Sequence, residues 1–203
     1  MEEGISLGRK DLENALQAVG ELLSSAGQRI SIVVIGGAAL HLQGVIERTT
    51  RDVDVVALTN EPGGFEQLIR PPKPLPDVLL QAVRNVALDL GLPDNWLNRG
   101  PANQWDIGLP PGFEQRVKWQ SFAALDVGVA DRLDLIFFKL EAAADQPDSA
   151  NRHCQDLIAL NPSRAELEKA AEWVRAKNVG PDYHEILDRV IKHVTDTLAG
   201  NSR

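Results

Sequence analysis

The chain has 203 residues, 43% hydrophobic and 25% charged, with a net charge of −8; this is an ordinary globular composition, sized for one domain or one domain with a small appendage. The acidic balance argues against a general phosphate-coating nucleic-acid binder, and the single Cys154 excludes an internal disulfide or a thiolate zinc cluster within the chain. The opening residues Met1 to Gly4 lack the basic start and apolar run of a signal peptide, and no apolar run approaches the roughly 18 residues of a membrane span, so the expected setting is soluble and cytoplasmic.

Apolar residues at Leu12, Ala15, Leu16, Val19, Leu22 and Leu23 predict a helix over 9–26, closed by Gly27. Ile30 to Ile35 is a continuous apolar run rich in β-branched residues, the pattern of a strand buried on both faces. Gly36 and Gly37 end it. A short helix is expected from Ala38 to Gly44, then a second strand from Asp52 to Leu58. Residues 61–64 and the proline-rich 71–76 read as surface loops. Residues 77–90 return to helical spacing, with Asp77 as the expected N-cap and Gly91 as the stop. From Pro93 to Gly112 the pattern is weak.

Residues 114–119 and 121–127 read as two strands of a hairpin. Leu133, Ile136, Phe137 and Leu140 then mark a helix over 131–145. Further helices are expected at about 150–160, 163–177 and 182–198, with Ser163 and Glu166 forming a capping box. The layout is mixed α/β for the first two-thirds and helical thereafter.

The chemistry concentrates in residues 36–54. Side chains alternate along a strand, so Asp52 and Asp54 share a face, with Cα atoms about 6.6 Å apart at about 3.3 Å per residue. Two carboxylates so close repel when both are ionised, and the flanking valines raise the cost of bare charge. A divalent cation with hard oxygen ligands, Mg²⁺ or Mn²⁺, resolves the conflict. Gly36 and Gly37 sit where a strand meets a helix start, where backbone N–H groups can approach an anion. Arg48 and Arg51 flank the turn and can meet phosphate oxygens. A three-glycine dinucleotide fingerprint and a P-loop are both absent. A solvated strand end and a plain turn are the bland readings of the same residues.

Gly36-Gly37 followed by Arg48-x-Thr50-x-Asp52-x-Asp54 resembles the nucleotidyltransferase signature of paired small residues, a short helix and Asp-x-Asp on the next strand. The Arg-x-Thr-x-Asp-x-Asp form is similar to the AbiEii/MenT-like branch, found as toxins of bacterial toxin–antitoxin pairs. Residues 135–142, with Lys139 before Leu140 and Ala142, resemble the second motif of that branch. His153-x-x-Asp156-Leu157 resembles its last motif.

The resemblance implies a nucleotidyltransferase-fold mixed sheet flanked by helices over residues 1–130, with a helical part, 131–203, packing on it. It implies that Asp52 and Asp54 hold the metal and that Gly36 and Gly37 hold nucleotide phosphates, with Arg48 and Thr50 beside them. Lys139 would contact the triphosphate, and Asp156 would orient Lys139 or act as a base. Lys139 lies about 100° from the centre of its helix's apolar stripe, and Asp156 lies off the stripe of Cys154, Leu157 and Ile158; both positions also fit a solvated face. A third carboxylate, common in the superfamily, would be Asp106, Asp126 or none.

The implied reaction moves a nucleotidyl group from an NTP to an RNA, such as a tRNA 3′ end, or to a protein hydroxyl. A cognate antitoxin is the implied partner. The alternative is a catalytically silent nucleotide-binding or partner-binding module on the same fold. His41 lies between the two motifs and reads as structural, Cys154 as a buried inert thiol, and Trp96-Leu97-Asn98 and Trp173 as packing residues rather than base-stacking platforms.

Overall fold

A computed structural model describes residues 6–59, 69–146, 151–177 and 180–201. The chain divides into two compact units, Met1–Asp131 and Arg132–Arg203.

The first unit is mixed α/β. Helix α1 (Arg9–Ser25) leads through Gly27, at φ +65°, into strand β1 (Ile30–Ile35) and the short helix α2 (Gly36–Leu42). Strand β2 (Val53–Thr59) follows, then β3 (Ile69–Arg70), helix α3 (Asp77–Leu90) and the two-residue strand β4 (Leu97–Asn98). A 3₁₀ turn (Gly100–Asn103) and two one-turn helices, α4 (Gln104–Ile107) and α5 (Phe113–Arg116), occupy the stretch where the sequence pattern is weak. A hairpin of β5 (Lys118–Phe122) and β6 (Leu125–Val129) closes the unit.

The described strands form one mixed sheet in the order β3-β2-β1-β6-β5, with β4 added beside β2. β1 runs antiparallel to β2 and parallel to β6. Its central position explains its composition, because Ser31 to Ile35 are all buried. Helix α1 buries Leu12, Ala15, Leu16, Val19 and Leu23. It comes so close to the hairpin that a Cβ on Gly20 would lie 1.7 Å from the Phe122 carbonyl oxygen. That glycine inside a helix is required by packing.

Three local expectations need correction. The hairpin turns at Ala123 and Ala124, not at Gln120; Ala123 takes φ +51°. Residues 113–116 are helical rather than extended. Pro76, not Asp77, is the N-cap of α3, because proline has no N–H to lose there and its φ of −59° already suits a helix entry. Gly91 closes α3 in the left-handed conformation, at φ +67°.

The second unit is helical: α6 (Arg132–Asp145), α7 (Arg152–Leu160), α8 (Arg164–Ala176) and α9 (Pro181–Asn201). α6 packs against the other three and is buried almost all round, from Asp134 through Glu141. Phe137 and Phe138 meet Trp173 edge-on, with ring centroids 5.5 and 6.0 Å away. Arg132 joins three elements. Its guanidinium donates to the carbonyls of Leu160 and Asn161 at the end of α7 and to Glu166 in the first turn of α8. Glu166 completes the expected capping box with Ser163. Among the described residues no helix is long and apolar enough to cross a membrane.

Candidate functional site

The geometry starts from an irregularity in the β1–β2 ladder. Val33 pairs with Ala57, but Val34 pairs with Val55, so the register skips Val56. Such a bulge shifts the strand's face by one residue. Val55 and Val56 are both buried, and Asp54 is set opposite Ile35, beside the glycine pair. The outer edge of β2 meets β4 at residues 53–54 and β3 at residues 58–59. Between them, Trp105 Nε1 donates to the carbonyl of the bulged Val56. The indole satisfies a backbone acceptor where the sheet edge is interrupted.

The two arms of the candidate site are in direct contact. Gly36 takes φ +71°, and a Cβ there would lie 2.5 Å from Oδ2 of Asp54. A Cβ on Gly37 would lie 2.5 Å from Oγ1 of Thr50. Each glycine thus presses its backbone onto a polar side chain of the second arm. Thr50 is buried; its hydroxyl donates to the carbonyl of Asp52 at 3.2 Å, and its backbone pairs with Leu7 through two hydrogen bonds. The turn carrying Asp52 is therefore held from both sides.

Asp52 precedes β2 and Asp54 lies within it, with buried Val53 between two half-buried acids. The strand thus starts one residue later than expected, at Val53, and leaves Asp52 on the turn before it. Arg48 is half-buried, with Nη1 3.4 Å from the carbonyl of Thr49. His41 is buried in α2. Gly36, Gly37, Thr50, Asp52 and Asp54 thus come together at one end of β1.

Two half-buried carboxylates suit a hard divalent cation that takes its other ligands from substrate and water. Among the described residues no three His, Cys, Asp or Glu side chains cluster to hold a metal.

Of the two candidate third carboxylates, Asp126 does not reach this end of the sheet. Asp126 pairs with Ser31, four residues or about 13 Å along β1 from Ile35. Arg29 Nη1 lies 2.7 and 2.6 Å from its two oxygens, and Ser121 donates at 2.7 Å. Burial raises the Asp126 pKa, but the hydrogen bonds from Arg29, Ser121 and Ser31 and the Arg29 charge outweigh it and hold the carboxyl below its ordinary value. Asp126 is a structural anion. Asp106 is exposed and pairs with Lys73 at 3.3 Å. A cavity of about 400 Å³ is lined by neither Asp52 nor Asp54 but by Arg29, Ser31, Thr59 and Arg70 among others.

Lys139 and Asp156 belong to the second unit, where they meet each other. Lys139 Nζ lies 2.7 Å from Asp156 Oδ2, and the side chains are 7% and 1% exposed. The solvated-face reading of both residues is thereby excluded. Burial of both charges is sustained by their pairing. Cys154 is buried and free, as expected.

Three residues to which the sequence pattern gives no role at the first site, Asn98 among them read as packing, also shape it. Asn98 is the register partner of Asp54, and Gly100 lies where a Cβ would be 3.7 Å from Oδ1 of Asp54. Trp105 is the third. All lie in the stretch with weak periodicity, where nothing in the residue types marks a two-residue strand.

A mixed sheet in which a glycine pair abuts an Asp-x-Asp strand start is the arrangement of a nucleotidyl-transfer fold. The chain belongs to the family described as a nucleotidyltransferase of unknown function (DUF6036), which matches residues 10–160. That span covers both arms of the site and continues through Lys139 and Asp156. The description reaches the nucleotidyltransferase class and stops short of the AbiEii/MenT-like branch. No curated protein and no solved structure gives a significant match.

Proposed function

We propose that this protein transfers a nucleotidyl group from an NTP to a hydroxyl of an RNA, such as a tRNA 3′ end, or of a protein. The single observation that carries the reading is the contact between Gly36 and the Asp54 carboxylate, because it joins the anion-binding element to the acidic one. Family membership supports the class of reaction.

In this reading Asp52 and Asp54 hold Mg²⁺ or Mn²⁺. When bound, the metal neutralises charge on the triphosphate and on the departing pyrophosphate. Gly36 and Gly37 offer backbone N–H groups to phosphate oxygens; no side chain caps the start of α2 to compete for them. Arg48 adds positive charge, and Thr50 fixes the carbonyl of Asp52. The acceptor oxygen forms a bond to the α-phosphorus as the α–β bridging bond breaks. For Lys139 and Asp156 the proposal keeps the implied roles, with the lysine toward the triphosphate and Asp156 orienting it or taking a proton.

The finer reading is a toxin of the AbiEii/MenT-like kind with a cognate antitoxin. It rests on the Arg48-x-Thr50-x-Asp52-x-Asp54 spacing. A silent nucleotide-binding module is the second reading, favoured by the commitment of Asp126 to Arg29.

The test incubates the protein with each α-labelled NTP, Mg²⁺ and a cell lysate, then treats the product with nuclease or protease. Label lost to nuclease identifies an RNA acceptor, and label lost to protease a protein. Growth arrest on expression, relieved by Asp52→Ala, would support the toxin reading. Arrest that persists in the variant would sink it.

A further inference from the structure

Asn98 stands beside Asp54 on a neighbouring strand. Their Cα atoms are register partners in the parallel β2–β4 pair, as are those of Val53 and Leu97. Paired residues project from the same face of a sheet. Burial agrees: Val53 and Leu97 are buried, whereas Asp54 and Asn98 are half-buried. Gly100 gives an independent marker. The position of a Cβ on that residue lies 2.9 Å from Asn98 Oδ1 and 3.7 Å from Asp54 Oδ1. The amide and the carboxylate therefore flank one point.

The orientation of the amide follows from chemistry. The backbone N–H of Gly100 lies 2.6 Å from one terminal atom of Asn98, and a donor there requires the oxygen. Oδ1 is thus engaged and Nδ2 points away from Gly100, with two N–H groups to donate. A carboxylate at this place would add an acceptor and a third negative charge. The asparagine supplies a neutral donor next to two acids.

We propose that Asn98 is a substrate-positioning residue whose Nδ2 donates a hydrogen bond to an acceptor oxygen of the nucleotide held at Asp52 and Asp54. This rests on the nucleotidyl-transfer reading above. The local turn preorganises the donor, because the Gly100 bond fixes the amide before substrate arrives.

The test measures binding of Mg²⁺ with each of the ribonucleoside triphosphates to the full chain, for wild type, Asn98→Ala and Asn98→Asp, with thermal unfolding alongside. Aspartate keeps the oxygen that accepts from Gly100 and loses the donor; alanine loses both. The expected result is affinity weakened about tenfold or more in both variants, with the unfolding midpoint of Asn98→Asp unchanged. Wild-type affinity in Asn98→Asp would reduce Asn98 to a turn former and overturn the proposal. Wild-type affinity in Asn98→Ala would overturn it too, since the loss in Asn98→Asp would then be charge repulsion. Weakening that follows an equal fall in the midpoint of both variants also overturns it. If wild type binds no triphosphate, the nucleotidyl-transfer reading fails first and takes this assignment with it; if wild type binds and the variants bind alike, only the role of Asn98 fails.

Discussion

Gly36 and Asp54 lie so close that a side chain on the first would displace the second: a Cβ would sit 2.5 Å from Oδ2. The glycine is also in the left-handed region, at φ +71°. Gly36→Ala therefore combines backbone strain of about 1–2 kcal/mol with a shifted carboxylate. Unfolding in urea should show a loss of about that size or more, and Mg²⁺–NTP affinity should fall more steeply than stability. Unchanged affinity in a folded Gly36→Ala would detach Asp54 from the nucleotide site.

The bulge at Val56 places Asp54, and Trp105 holds the bulge. Trp105→Phe keeps an aromatic ring, smaller than the indole, and removes the donor. The expected cost is about 1 kcal/mol from the unmade bond to the Val56 carbonyl, visible in chemical denaturation. Asp54 stands two residues from the bulge, so nucleotide binding should weaken as well. A variant with full stability would mean that solvent replaces the indole.

Lys139 and Asp156 form a buried pair, so removing one partner strands the other. Lys139→Met should destabilise the full chain by about 3–5 kcal/mol. Lys139→Met combined with Asp156→Leu should recover most of that loss, because neither charge remains buried. The double variant then separates roles: a stable but inactive protein supports catalytic use of the pair, and a stable, active one leaves it purely structural. If the single variant is as stable as wild type, the pair is not buried in solution.

Acid should loosen the second unit at the Arg132–Glu166 contact. Hydrogen bonding from Arg132, the largest effect, holds the Glu166 carboxyl down at about 2, against an ordinary 4.5. A depressed carboxyl stabilises the fold above its unfolded value and loses that contribution as pH falls through the folded value. The window is therefore from about pH 4.5 down to about pH 2. Glu166→Gln should lower stability at neutral pH and flatten the acid limb of the stability–pH curve in that window. A curve parallel to wild type would show that Arg132 does not reach Glu166.

Much of this was legible in the residues. β1 announces itself through an unbroken apolar run, since a central strand buries both faces. Gly36-Gly37 and Asp52-x-Asp54 carry spacing that local geometry turns directly into proximity. The helices of the second unit follow from their apolar spacing and the Ser163–Glu166 box.

What stayed hidden depends on tertiary contact. Val56 looks like any strand valine, and only the β1 ladder shows it as the bulge. Asn98 and Trp105 lie in a stretch held by neighbouring backbone rather than by its own periodicity. Asp126 was readable as an acid on a strand, but its partner Arg29 is 97 residues away. Lys139 lies at the edge of its apolar stripe and Asp156 off its own, and they are buried against each other where α6 packs on α7.

The most direct measurement of the central claim is transfer of α-label from each NTP, with Mg²⁺, to macromolecules of a lysate, comparing wild type with Asp54→Asn. Asn is nearly isosteric; it removes the charge and replaces one acceptor oxygen with an N–H donor. The predicted result is labelled product with wild type and none with the variant. Equal labelling by both, or Mg²⁺–NTP binding by wild type with no product at all, would contradict it.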